Sequence, residues 1–163
     1  MAFDHPHPGP ATVSARRTPR SAASTWVLAA VLLGASASAW SVTCSVSATG
    51  VNFGSYDVFS EVSSDGAGSV SVSCDEDAAY SIAISSGNGS HASRWMASGA
   101  HQLAYNLYRE ASHSTIWGDG TGGSAVVTGS GTGATHTVYG RIPSRQNVHA
   151  GSYSDHIVIV VTY

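Results

Sequence analysis

The chain has 163 residues, enough for one domain with a short appendage. Beyond residue 39 it has no lysine, and four arginines stand against nine acidic residues, a net charge of −5 with histidine neutral. A surface that binds nucleic acid needs a cationic stripe to neutralise phosphates, so we exclude that class of protein.

Residues 1–39 have the order of a secretory signal peptide. A polar region carrying Arg16, Arg17 and Arg20 precedes an apolar run at residues 26–33, and small residues follow as far as Ala39. A membrane-spanning helix needs about 20 apolar residues, and this run has about half that length. We therefore predict an exported protein with no stable membrane span, cleaved after Ala39, so that residues 40–163 form the mature domain.

Cys44 and Cys74 are the two cysteines of the chain. Cysteines of exported proteins usually pair, and two cysteines permit only one intramolecular bridge. A zinc site, the alternative, needs two further ligands at suitable spacing, and no histidine lies near either cysteine in the sequence. We therefore predict a Cys44–Cys74 disulfide, stabilising by about 3–4 kcal/mol through loop closure, with no metal and no cofactor.

After residue 40, apolar residues recur at every second position, which is the period of a β-strand. The alternating stretches, in chain order, lie at residues 42–48, 70–74, 80–84, 103–107, 135–142 and 156–163. Clusters of Gly, Ser, Asp and Asn predict turns between them, including an acidic turn at 75–77 and long loops at about 86–101 and 118–134. This pattern predicts an all-β sandwich with the disulfide in or beside its core.

The C-terminal stretch is apolar on both of its faces. Val158 and Val160 lie on one face, and the other face carries four side chains: Ile157, Ile159, Val161 and Tyr163. A strand this apolar at the edge of a sheet is an assembly or aggregation hazard. We therefore expect this strand to be covered, either by the rest of the chain or by another chain.

The sequence motifs that could indicate a cofactor, metal, catalytic or sugar-binding site give only weak support. Gly118, Gly120 and Gly123 fit the G-x-G-x-x-G pattern, but a strand follows them instead of the helix that a dinucleotide site requires. The six histidines after residue 40 show no tight metal-ligand spacing, and no G-x-S-x-G motif occurs, so we predict no catalytic site. Trp95 and Trp117, near the long loops, are a candidate platform for sugar rings, although such tryptophans are more often core residues.

An ordered series of short motifs resembles the spore coat protein U domain family, which includes secreted pilin subunits of archaic chaperone–usher systems. The motifs are CSVSA at 44, VNFGSYD at 51, VSVSC at 70, RWM at 94, LAYNLY at 103, WGD at 117, VYGRIP at 138 and AGSYSD at 150. Each motif is weak alone, but the ordered set covers nearly the whole predicted mature chain.

The resemblance implies an immunoglobulin-like β-sandwich that lacks one strand. In similar pilins a periplasmic chaperone lends a strand to the open groove, and an outer-membrane usher exchanges it for the N-terminal strand of the next subunit. For this chain it implies a secreted structural subunit of a surface pilus or coat, with a role in adhesion or biofilm, and no enzyme. We expect the groove to be flanked by four residues: Ile157, Ile159, Val161 and Tyr163.

The predicted mature chain departs from polymerising pilins in its N-terminal arm. Only residues 40–43 precede Cys44, and four residues span at most about 14 Å, too little to fill a groove. This favours a subunit that accepts a strand without donating one, or a coat-type protein. A different function class also stays open, namely a self-contained extracellular carbohydrate- or surface-binding module that uses Trp95, Trp117 and the long loops.

Overall fold

The structure is a computed structural model and describes residues 41–163. The predicted signal peptide, residues 1–39, lies outside the described residues. The described part is all-β, as predicted, and contains these strands: β1 (Cys44–Asn52), β2 (Ser64–Ile84), β3 (Gly89–Ser90), β4 (Ser93–Ser98), β5 (His101–Tyr108), β6 (Val127–Ile142) and β7 (Ile159–Thr162). None of residues 41–163 belongs to a helix long and apolar enough to cross a membrane.

The two longest strands, β2 and β6, form an antiparallel ribbon to which the other strands attach. The strand order is β1-β2-β6-β5-β4-β3, and β7 also pairs with β2. The β2–β6 register is interrupted between Ser73 and Ala78, so that β2 has two halves. β1 pairs with the first half and β7 with the second half.

Both halves of β2 contribute side chains to one hydrophobic core. The first half supplies Val70 and Val72, and the second half supplies Ile82 and Ile84, all at most 4% exposed. These residues belong to a single cluster together with buried residues of β4, β5 and β6. The two halves of the ribbon thereby contribute to the two layers of a β-sandwich.

Three local predictions are wrong, for related reasons. The acidic residues 75–77 lie inside β2, at its register interruption, instead of forming a turn. β4 lies within the predicted loop 86–101, because its buried residue Arg94 gives the sequence a polar character. β6 begins at Val127 inside the predicted loop 118–134, since its glycine-rich start is held in extended form by pairing with β2.

The predicted disulfide joins β1 to β2 and is confirmed. Cys44 and Cys74 are direct cross-strand partners with their Cα atoms 4.0 Å apart. Cys74 is buried at the margin of the core and Cys44 is half-buried. The bridge therefore fixes the register of β1 at the edge of the sheet, where β1 has no second neighbouring strand in the described part of the chain.

A buried arginine connects β4 to three other segments. The guanidinium of Arg94, which has no exposed surface, donates to Asn106 Oδ1 at 2.7 Å and to the carbonyl oxygens of Ser85 and Trp117 at 2.9 Å each. Burial lowers the pKa of Arg94 from its ordinary value, but an arginine remains charged in proteins. The indole of Trp117 in turn donates to the carbonyl oxygen of Ile82 at 3.0 Å. This network ties the ends of β2, β4 and β5 together.

We expect Arg94→Lys to lower the free energy of unfolding by about 2–4 kcal/mol. A lysine ammonium cannot reach three acceptors in the fork geometry of a guanidinium, and unpaired buried acceptors are costly. Urea denaturation of the oxidised domain measures the loss. The matched control is Arg145→Lys, at an exposed arginine that pairs with Glu61, which should change stability by less than about 0.5 kcal/mol. Equal effects of the two substitutions would contradict the role given to Arg94.

Candidate functional site

The C-terminal segment, residues 153–163, alternates in burial along its length. The even-numbered residues are exposed, and five odd-numbered residues are half-buried: Tyr153, Asp155, Ile157, Ile159 and Val161. The last three of these pack against the core. Tyr163 is 54% exposed, because β7 ends at Thr162 and the core does not extend past it. Tyr163, which was also predicted to flank a groove, is not among the residues that line the cleft described below.

Among residues 41–163, the backbone of this segment finds hydrogen-bond partners along one edge only. Ser154 exchanges two hydrogen bonds with Ala97 of β4, at 2.8 and 3.0 Å, and the carbonyl of Val158 accepts from the amide of Ser85 at 2.9 Å. In a strand that pairs on one side, alternate residues point their N–H and C=O groups toward the partner. The backbone N–H and C=O groups of the even-numbered residues thus point toward β4 and β2. Those of Ile157, Ile159 and Val161 point to the opposite edge.

β1 has the same arrangement at its own free edge. The amide of Asp75 donates to the carbonyl of Thr43 at 3.1 Å, so Thr43 and Asp75 form a hydrogen-bonded pair of the antiparallel ladder. The neighbouring pair, Cys44 and Cys74, is therefore a non-hydrogen-bonded pair. Residues in phase with Cys44 therefore direct their backbone groups away from β2. Val46 is such a residue, and no strand of the described chain pairs with that edge.

The inner face of β1 is open although the matching face of β2 is buried. Val46 lies directly across from Val72, and Ala48 lies across from Val70, so each pair shares one face of the sheet. Val70 and Val72 are 1% and 4% exposed, whereas Val46 is 44% exposed. The core therefore reaches β1, but nothing in the described chain covers it there.

A cleft of about 330 Å³ runs along this open part of the core, and we call it the strand cleft. Residues 48–51 form one wall, and Ile157 and Ile159 form the other. The floor consists of five side chains: Ile84, Met96, Tyr105, Leu107 and Val138. The sequence prediction placed Ile157 and Ile159 beside a groove, and the structure puts both in this wall; Val161 packs against the core but does not line the cleft.

One polar pair interrupts the apolar lining. The hydroxyl of Tyr105 donates to Asp155 Oδ2 at 2.7 Å, and the same carboxylate accepts from the amides of Asn88 and His156 at 3.1 and 2.7 Å. Burial, reinforced by the hydrogen bond to Asp155, raises the pKa of Tyr105 well above its ordinary value, so its hydroxyl remains a donor. The pair fixes the C-terminal segment onto β5 at the side of the cleft.

The wall of the strand cleft that β1 forms packs directly against Gly140 of β6. A β-bulge between Thr49 and Asn52 brings Val51 and Phe53 over Gly140, where an added Cβ would lie 2.7 and 2.6 Å from their side chains. The ring of Phe53 meets Tyr105 edge to face at 5.9 Å. Beyond Phe53, a second cleft of about 1170 Å³ opens between residues 50–59 and 148–153, with polar groups in its lining.

The comparisons with known proteins agree with this architecture. The sequence profile of the Spore Coat Protein U domain matches residues 29–160. The chain belongs to this family. Protein U of Myxococcus xanthus is 34% identical over 127 residues, which cover 69% of this chain and 71% of that protein.

A solved structure shows the same fold. A chain of the CsuC–CsuE chaperone–tip adhesion subunit pre-assembly complex, from archaic chaperone–usher Csu pili of Acinetobacter baumannii, matches with a TM-score of 0.54 and 22% identity. The match covers 75% of the present chain and 40% of the solved chain, so this spore coat protein U domain spans less than half of that protein. The likeness establishes an antiparallel, pilin-like β fold.

The predicted tryptophan platform is not formed in this spore coat protein U domain. Trp117 has no exposed surface, because its ring fills the core and its N–H is bonded to the carbonyl of Ile82. Trp95 is half-buried on β4. A ligand therefore meets at most one of the two rings. Within residues 41–163, no three His, Cys, Asp or Glu side chains come together as a metal site would require.

We expect Gly140→Ala to destabilise the domain by about 1–3 kcal/mol, since the new methyl group displaces Val51 and Phe53 from the wall of the cleft. The matched control is Gly50→Ala, because a Cβ at Gly50 meets nothing within 4 Å. Thermal denaturation of both variants checks the prediction. A Gly140→Ala domain as stable as the control would show that the wall does not rest on this glycine.

Proposed function

We propose that this chain is a secreted structural subunit of a surface pilus or coat, and that its strand cleft accepts a β-strand from another chain. One observation carries the proposal. Ile157 and Ile159 direct backbone groups to a free edge and side chains into the cleft, and Ala48 repeats that pattern on β1. A single inserted strand can therefore pair with the backbone and fill the cleft at the same time.

The energetic argument concerns mainly the apolar floor. Backbone groups at an open edge still bond to water, but exposed apolar side chains lose favourable burial. Each donor side chain that becomes fully buried contributes about 1.5–3 kcal/mol. Three such side chains contribute several kcal/mol, which is comparable to the whole stability of a small domain. A supplied strand is thus expected to decide whether the isolated domain is stable.

The partners follow from the family and from the way in which related subunits assemble. The solved relative is, by its description, a complex between a chaperone and a tip adhesion subunit of an archaic chaperone–usher pilus. We extend this scheme to the present chain, with a periplasmic chaperone, an outer-membrane usher and other pilus or coat subunits as successive partners. Residues 1–39 direct export, residues 40–163 form the assembling domain at the cell surface, and adhesion or biofilm formation is the biological role.

The alternative of a self-contained carbohydrate- or surface-binding module has less support. It used Trp95, Trp117 and the long loops, and Trp117 is buried. The proposal also treats the protein as structural and not as an enzyme, since the cleft is lined mainly by apolar side chains.

The test is to fuse a donor segment of alternating apolar residues after Tyr163 through a flexible linker. Filling the cleft should raise the melting temperature by at least about 10 °C, because several kcal/mol correspond to shifts of this size in a domain of this length. The matched control carries the same donor residues in an order that does not alternate. An unfused domain that is monomeric, and that gains no more from the alternating donor than from the control, would refute strand acceptance.

A further inference from the structure

The outer face of the C-terminal segment carries two exposed valines for which strand acceptance alone gives no reason. Val158 and Val160 are 52% and 54% exposed, and they lie on the face opposite to Ile157 and Ile159. An isolated exposed apolar residue is ordinary on a protein surface. Two β-branched residues on the same face of a strand with a free edge can both form cross-strand side-chain pairs with a strand added at that edge.

The residues on the bonded side of this strand do not cover the valines. Val160 is the cross-strand partner of Ala83, and the backbone of Val158 bonds to Ser85, so small side chains lie beside both. A strand added at the free edge therefore places its outward side chains beside valines that nothing in the described chain covers. The outer face of β1 is different, since it carries the hydroxyl residues Ser45 and Ser47.

Geometry decides which residues of an inserted strand meet the valines. Ile157 and Ile159 direct their backbone groups to the free edge, so they form the hydrogen-bonded pairs with an antiparallel donor. Val158 and Val160 then form the non-hydrogen-bonded pairs, in which the Cα atoms are about 4.5 Å apart and the side chains are closest. The outward side chains of the donor thus lie close enough to Val158 and Val160 to pack against them.

We infer that the partner of this cleft is a β-strand selected on both of its faces, with Val, Ile or Thr at the two outward positions opposite Val158 and Val160. This inference rests on the proposed function and adds the chemistry of the donor to it. β-Branched side chains pair favourably across strands, while glycine and charged residues give up this contact. Threonine is also suitable, because its hydroxyl can face the serines on the outer side of β1 while its methyl group faces the valines.

The experiment compares donors that share identical inward residues and are fused after Tyr163 through a reverse turn, which makes them antiparallel to β7. One donor carries Val or Thr at the two outward positions, and the other carries Ser followed by Gly. The first should melt about 2–8 °C higher than the second, the shift expected of two cross-strand pairs. The difference should disappear in the acceptor V158S/V160S and persist in V62S, which removes an exposed valine elsewhere.

The possible results separate the two proposals. If neither donor raises the melting temperature, strand acceptance fails and this inference fails with it. If both donors raise it equally, or if the difference persists in V158S/V160S, strand acceptance stands and the selection by the outer face is refuted. If V158S/V160S does not fold, nuclear Overhauser effects in the wild-type fusion replace it. Contacts between the outward donor methyl groups and the methyl groups of Val158 and Val160 support the inference, and their absence overturns it.

Discussion

The free edges of β1 and of the C-terminal segment are the constraint on which the rest of this structure depends. In the described part of the chain, each strand pairs with β2 along one edge and has no strand at its other edge. On each strand the residues that turn their backbone groups outward also turn their side chains toward the core. The unpaired backbone edges and the uncovered part of the core therefore lie at the same place. A single inserted strand with alternating apolar side chains can pair with the free backbone groups and cover the apolar core at the same time.

The walls of the cleft are held in place even though nothing fills it in the described chain. The disulfide fixes β1, the carboxylate of Asp155 anchors the C-terminal segment to Tyr105, and Arg94 links the ends of β2, β4 and β5. Buried polar networks of this kind specify a unique arrangement when their groups are bonded. A cleft formed in advance lowers the ordering cost that binding would otherwise require.

The sequence predicts the fold class and the disulfide, because each depends on a local pattern. It also predicts that Ile157 and Ile159 flank a groove, and these two residues line one wall of the strand cleft. Ile157 and Ile159 stand in a C-terminal stretch that is apolar on both of its faces, and the two cysteines permit only one intramolecular bridge. The other wall could not be predicted. Val46 has the same alternation as a buried strand residue, and only the sheet order shows that no strand covers it.

The remaining errors have a common physical cause. Arg94 made β4 resemble a loop, and Trp117 in a glycine-rich region resembled an exposed ring, yet the two are bonded to each other inside the core. The signal in both cases is a tertiary hydrogen bond, which local periodicity does not contain. Gly140 likewise matters only because Val51 and Phe53 from a distant part of the chain lie over it.

Amide hydrogen exchange at the free edge tests the central claim most directly. In the free domain the amides of Ile157, Ile159 and Val161 should exchange rapidly, while that of Val160, bonded to β2, is slow. Binding of a donor strand should then slow the three fast amides by at least about 100-fold, since they become part of a ladder. Three amides that are already protected in the monomeric free domain, or that stay fast when a donor is bound, would contradict the account.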